Sequence, residues 1–188
     1  MLKSIKLLLL SAMTLSFSGC IFHSNPEINY YDINQIPTAV DAQKVPMAGA
    51  IQFKLIRNLT PVGNNFIYSG NDGRQFIDRH NLWIQSPELM IQRKIINSLP
   101  LTENNSVIFD ISAVLYDFAI NQDTRNCTAA LKFEVKKISN SAGKGEVTEL
   151  FFKATKQAEA DNAASYVAAM AQIIDEITLN LQQQLTKF

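Results

Sequence analysis

Few residues here have types and spacings that could do chemistry. The 188 residues hold two cysteines, Cys20 and Cys127, and two histidines, His23 and His80. Neither histidine has a second ligand at metal-binding spacing, so no metal site is expected. No Gly-x-Ser-x-Gly elbow and no Gly-x-x-x-x-Gly-Lys-Ser/Thr loop occurs, and Gly143-Lys144-Gly145 reads as a turn. Asp72, Asp78, Glu88 and Asp110 are dispersed carboxylates, the pattern of a solvated surface. His80 lacks the second group that acid–base work requires. No catalytic residue and no cofactor are therefore expected, and the sequence argues against an enzyme.

Cys20 is different, because of what precedes it. Lys3 and Lys6 come first, then the apolar run from Leu7 to Phe17, then Ser18-Gly19 and the cysteine. Positive residues, an apolar stretch and small residues in that order are an export signal. As a helix the apolar run would be about 16 Å long, too short for a bilayer core of about 30 Å. Ser18-Gly19-Cys20 resembles a bacterial lipobox, although Phe17 stands where leucine is more usual. At such a motif the peptide is cut before the cysteine, whose sulfur and amine then take acyl chains. An ordinary secretory signal with a chance cysteine is the alternative. Each buried CH₂ contributes about 0.8 kcal/mol, and two or more chains hold stably. By resemblance to enterobacterial sorting rules, Ile21 in place of aspartate points to the outer membrane.

Removing residues 1–19 leaves 169 residues, the size of one domain. Fifteen basic residues then face seventeen acidic ones, a net of −2. That balance carries no footprint for nucleic acid and no polybasic help at an anionic membrane, so the lipid must do the anchoring. Cys127, left alone at the start of a strand-like run, reads as a buried small hydrophobe. A reactive thiol or an intermolecular bridge is the alternative.

Residues 20–46, with Pro26, Pro37 and Pro46, read as a tether to a domain over 47–188. Within the tether, Tyr30-Tyr31-Asp32-Ile33 is costly to leave in water and is expected to dock. In the domain, 48–59 alternates as a strand through Ile51, Phe53 and Leu55. Residues 65–69 and 74–78 flank Gly70-Asn71-Asp72-Gly73 as a hairpin. Ser86 as N-cap, Pro87 at the first helical position and Glu88 in the first turn start a helix that Pro100 ends. Its apolar face is expected at Leu89, Ile95, Ile96 and Leu99. Strands follow from Val107 to Leu115, through Ala129, Leu131, Phe133 and Val135, and over 147–155, with turns at 121–126 and 140–145. Asp161 is expected to cap a last helix whose stripe is Tyr166, Met170, Ile173, Ile174, Ile177 and Leu181. The reading is α+β: a mainly antiparallel sheet with two helices on one face, in the order β-β-β-α-β-β-β-α.

Trp83, the single tryptophan, reads as a core anchor at the start of the first helix, or as an anchor at a protein interface. Val167, Leu179 and Leu185 make the other face of the last helix apolar enough to suggest self-association or a partner.

Tyr30-Tyr31-Asp32-Ile33 soon after the cysteine resembles the opening of the ABC-transporter auxiliary lipoproteins of the paraquat-inducible protein C type. Leu82-Trp83-Ile84-Gln85-Ser86-Pro87-Glu88-Leu89-Met90 is similar to that family's tryptophan-then-proline approach to its first helix. The pattern carries over to Cys20, Tyr30, Tyr31, Trp83 and Pro87. The resemblance implies a lipoprotein of the outer membrane facing the periplasm, without enzymatic activity. It would dock an MCE-domain protein and its ABC permease in lipid transport, and could form a homo-oligomer. A lipopolysaccharide-assembly lipoprotein is a second reading, disfavoured by the net of −2. A small-ligand-binding module is a third, and would need a pocket with convergent polar groups.

Overall fold

The structure is a computed structural model that describes residues 27–37, 49–99, 107–139 and 142–188, with backbone alone at 139 and 142–144. The expected signal, Cys20 and His23 lie outside the described residues. No described helix is long and apolar enough to cross a membrane.

In chain order the elements are β1 (Asn29–Tyr31), a 3-10 turn (Ile33–Gln35), β2 (Ala50–Asn58), β3 (Asn65–Ser69), β4 (Gln75–Trp83), α1 (Pro87–Ser98), β5 (Val107–Asn121), β6 (Asn126–Ser139), β7 (Ala142–Gln157) and α2 (Ala163–Leu185). β5, β6 and β7 form an antiparallel meander. The other edge of β5 takes two strands end to end, both parallel to it: β2 along Ile108–Leu115, and β3 at Ile120 and Asn121. β4 folds back antiparallel on β3, and β1 adds parallel to β4.

Two expectations are corrected. The order is β-β-β-β-α-β-β-β-α, and the sheet is mixed, with parallel pairing at β1–β4, β2–β5 and β3–β5. Side-chain alternation marks which face of a strand is buried but not the direction of its neighbour. The link from β2 to β5 holds a hairpin and a helix, and such a crossover delivers a parallel strand. Gly49 allows the close start of that pairing, since a Cβ there would lie 2.7 Å from the Val107 carbonyl oxygen.

The long strands keep one face inward by means of bulges. On β5, Phe109, Ile111, Ala113 and Leu115 are buried, and then Phe118 and Ile120. The parity changes because the register shifts between Leu115 and Asp117. One inserted residue restores the apolar set to the core side. β2 does the same between Phe53 and Ile56, so Ile56 is buried and the expected Leu55 is exposed. β6 follows the expected alternation, with Cys127, Ala129, Leu131, Phe133 and Val135 inward. Gly143-Lys144-Gly145 belongs to β7 rather than to a turn.

Both helices cover the apolar face, α1 against β2 and α2 against β6 and β7. The α2 stripe is buried as expected, but its N-cap is Asn162, which accepts from the Ser165 amide at 2.9 Å. Asp161 instead accepts from the Tyr166 hydroxyl at 2.5 Å. Val167 and Leu185 are buried within the protomer, so they are not a spare face for self-association. On α1 the buried face is Met90, Ile91, Lys94 and Ile95, while Leu89 and Ile96 are exposed. A lysine at the centre of the true face disguised it.

Candidate functional site at the tyrosine–tryptophan seam

The two motifs that carry the family resemblance are neighbours in space. β1 lies along β4 with Tyr30 opposite Leu82 and Tyr31 opposite Trp83. The Ile84 amide continues the pairing by donating to the Tyr31 carbonyl at 2.9 Å, and the Trp83 amide donates to the Asn64 carbonyl at 2.7 Å. Successive residues of a strand point to opposite faces, and here the two tyrosines separate. Tyr31 packs against the core, whereas Tyr30 is 62% exposed.

Beneath the seam runs a line of rings. Trp83, 1% exposed, stacks on Phe66 at 4.0 Å between centroids and meets Phe118 edge-on at 5.4 Å. Tyr31 meets Phe66 edge-on at 5.4 Å. Phe66 leads to Tyr68 at 6.2 Å, and Tyr68 to Tyr166 of α2 at 5.6 Å. Such pairs contribute about 0.5–1.5 kcal/mol each beyond the area they bury. Trp83 is thus the core anchor of the first reading. An indole so enclosed does not face a partner.

Past β1 the chain is clamped to α1. Asp32 accepts from the Asn34 amide and side-chain nitrogen, both at 2.9 Å, and from the Arg93 guanidinium at 2.5 Å. Burial alone would raise the Asp32 carboxyl; the Asn34 donors and Arg93 outweigh it and hold it below its ordinary value. The Asn34 side chain also donates to the Met90 carbonyl at 3.0 Å. Ile33 is fully buried. Tyr30-Tyr31-Asp32-Ile33 docks, as its apolar content predicts.

Pro87 is buried in the first turn of α1, where its missing N–H is not needed. Ser86 occupies the N-cap position, but its hydroxyl donates to Glu88 at 2.6 Å instead of receiving a helix amide. The other oxygen of Glu88 accepts from the Asn58 side chain at 2.9 Å, tying α1 to the end of β2.

The remaining sequence candidates do not converge. Asp72 pairs with Arg74 at 3.2 Å and Asp110 with Lys54 at 2.6 Å, while Asp78 accepts from Asn81 at 2.7 Å. His80 is exposed on β4. No group of three His, Cys, Asp or Glu among the described residues could hold a metal. Cys127 is fully buried, its thiol pushed up to about 12 by burial, and it donates to the Tyr166 carbonyl at 3.7 Å.

One pair escaped the sequence reading. Lys94 of α1 and Asp175 of α2 meet at 3.0 Å with side chains 4% and 5% exposed. Burial pushes the Asp175 carboxyl up, and Lys94 opposes it. The signal lay in the periodicity: each is a charged residue in step with apolar neighbours, Lys94 with Met90 and Ile91, Asp175 with Ile174 and Ile177.

No protein-family model matches the sequence, and no curated protein is significantly similar to it. Solved structures are similar in fold. A crystal structure of an uncharacterized protein superposes with a TM-score of 0.60 at 13% identity, covering 84% of this chain and 98% of that one. The crystal structure of XCC0632 from Xanthomonas campestris, of the family DUF330, gives 0.61 at 10% identity, covering 81% and 92%. A Caulobacter crescentus CB15 protein described as a candidate lipoprotein gives only 0.34 over 52% of this chain, too low to add to the argument. The first two share this chain's mixed α+β fold nearly end to end.

Proposed function

We propose that this chain is a lipoprotein of the bacterial envelope, held by acyl chains on Cys20 at the outer membrane and facing the periplasm. There it serves as the auxiliary component of an MCE/ABC-type lipid transport system. Its role is to dock an MCE-domain protein and its permease, without catalysis of its own. The observation that carries the reading is the seam. Tyr31 and Trp83, the centres of two motifs that resemble one family, are paired residue to residue although 52 positions apart. The fold shared with the DUF330 structure is compatible with that resemblance. In this role Trp83 and Pro87 shape the scaffold, Tyr31 holds the arm on it, and Tyr30 is left outward to meet a partner.

The test is affinity capture of the detergent-solubilised protein from membranes, read by mass spectrometry. Wild type is expected to recover an MCE-domain protein and its permease. Cys20→Ala should lose them if the anchor places the partner, and Tyr30→Ala should weaken recovery while leaving the anchor intact. Recovery of a barrel protein, or of nothing specific, would sink the transport reading.

A further inference from the structure

Among the described residues β7 is paired on one side only, with β6. Its free edge is long, and the β6–β7 ladder has no register shift from Glu146 to Gln157. No proline interrupts it. Open edges are normally blunted by shortness, bulges, proline or charged side chains. Elsewhere in this sheet the backbone devices serve, since β1 has three residues and β2 is bulged. β7 has none of these from Glu146 to Gln157, and its charges there are of both signs, Glu146 and Glu149 with Lys153 and Lys156. It also presents Val147 and Phe151, 53% and 60% exposed, on the sheet face away from the helices. An edge of this kind is a template for another strand.

We propose that this edge pairs with β7 of a second copy of the chain, antiparallel about a twofold axis at Phe151, so that one sheet runs through both protomers. The residues of β7 are complementary to themselves about that point. Phe151 meets its own copy, Leu150 faces Phe152, and Val147 faces Thr155. Glu149 stands opposite Lys153, and Glu146 opposite Lys156. Within the protomer Glu149 already holds Lys132 at 2.7 Å, and Lys153 lies 3.8 Å from Asp117. Pairing therefore strings four charges of alternating sign across the junction, Lys132 and Glu149 from one copy with Lys153 and Asp117 from the other. Opposite charges directly across a ladder stabilise it, and like charges destabilise it. Sliding the register by two residues sets Lys153 against Val147 or Phe151 and removes both complementary pairs. The 11 residues from Glu146 to Lys156 would add about ten main-chain hydrogen bonds. Each protomer offers one such edge and the contact is the same patch on both, so assembly closes at two copies. The proposal stands independently of the transport reading.

Sedimentation velocity of the full-length chain in a neutral detergent is the test. Wild type should be a dimer at micromolar concentration. Glu149→Lys turns two symmetry-related attractions into repulsions and should raise the dimer Kd by about tenfold or more. Adding Lys153→Glu should bring the Kd back to within about threefold of wild type. Phe151→Cys should cross-link two copies on oxidation, since the axis puts the two thiols face to face, whereas Val147→Cys should not. A wild type that stays monomeric at about 0.1 mM overturns the proposal. So does a dimer indifferent to Glu149→Lys and linked no better through position 151 than through 147.

Discussion

Asp32 gathers donors from two parts of the chain, Asn34 beside it and Arg93 on α1. Because its carboxyl titrates below the ordinary value of about 3.9, its contribution is fully present above that pH and is lost as pH falls through the folded value. Asp32→Asn should cost about 2 kcal/mol at pH 7, the scale of hydrogen bonds to a charged group. The difference from wild type in urea midpoint should shrink as pH is lowered from about 7 to about 3. Cys127 makes the opposite kind of prediction. With its thiol buried and pushed up to about 12, it should resist an aromatic disulfide reagent at neutral pH in the native state and react once urea unfolds the chain. A Cys20→Ser variant isolates that signal. Cys127 was legible as a buried residue because it keeps step with Ala129, Leu131 and Phe133. The partners of Asp32 were not, since Arg93 comes 61 residues later and no local pattern names it.

At the scale of elements, sequence periodicity located nearly every strand and both helices but mistook where their faces turn. Leu55 on β2 was misread, and β5 was ended early at Leu115, because a bulge swaps the inward parity without leaving a local mark. Half of the α1 face was misread, with Leu89 and Ile96 exposed while Ile95 and Leu99 are buried as expected, because Lys94 sits at its centre, tolerated there only through Asp175 on another helix. That pair has a clear mutational signature. Lys94→Met or Asp175→Leu alone leaves an uncompensated buried charge and should cost about 3–5 kcal/mol. Both together should restore stability to within about 1 kcal/mol of wild type or better. A double-mutant cycle by urea denaturation measures the coupling. Additive single costs would mean that the two residues do not compensate each other.

For the whole molecule, the arm before β2 is part of the folded unit rather than a leader to it. Ile33 is fully buried, and its turn packs against both helices. Ile33→Ala should therefore cost about 2–4 kcal/mol, as in a core position, and lower the thermal midpoint accordingly. A surface-like change below about 0.5 kcal/mol would show that the arm does not share in the cooperative fold. β1 also resets the geometry of anchoring. As a free spacer, residues 20–46 would let the domain wander up to about 85 Å from its lipid. Docking at Asn29 leaves only nine residues from Cys20 to Ile28, a leash of about 30 Å at full stretch. An acylated chain of this build cannot roam the space between two membranes. On the proposed anchoring it would be moored by the β1 rim of its sheet, where Ile28 and Tyr30 are exposed, and any machine it serves would have to come to that berth.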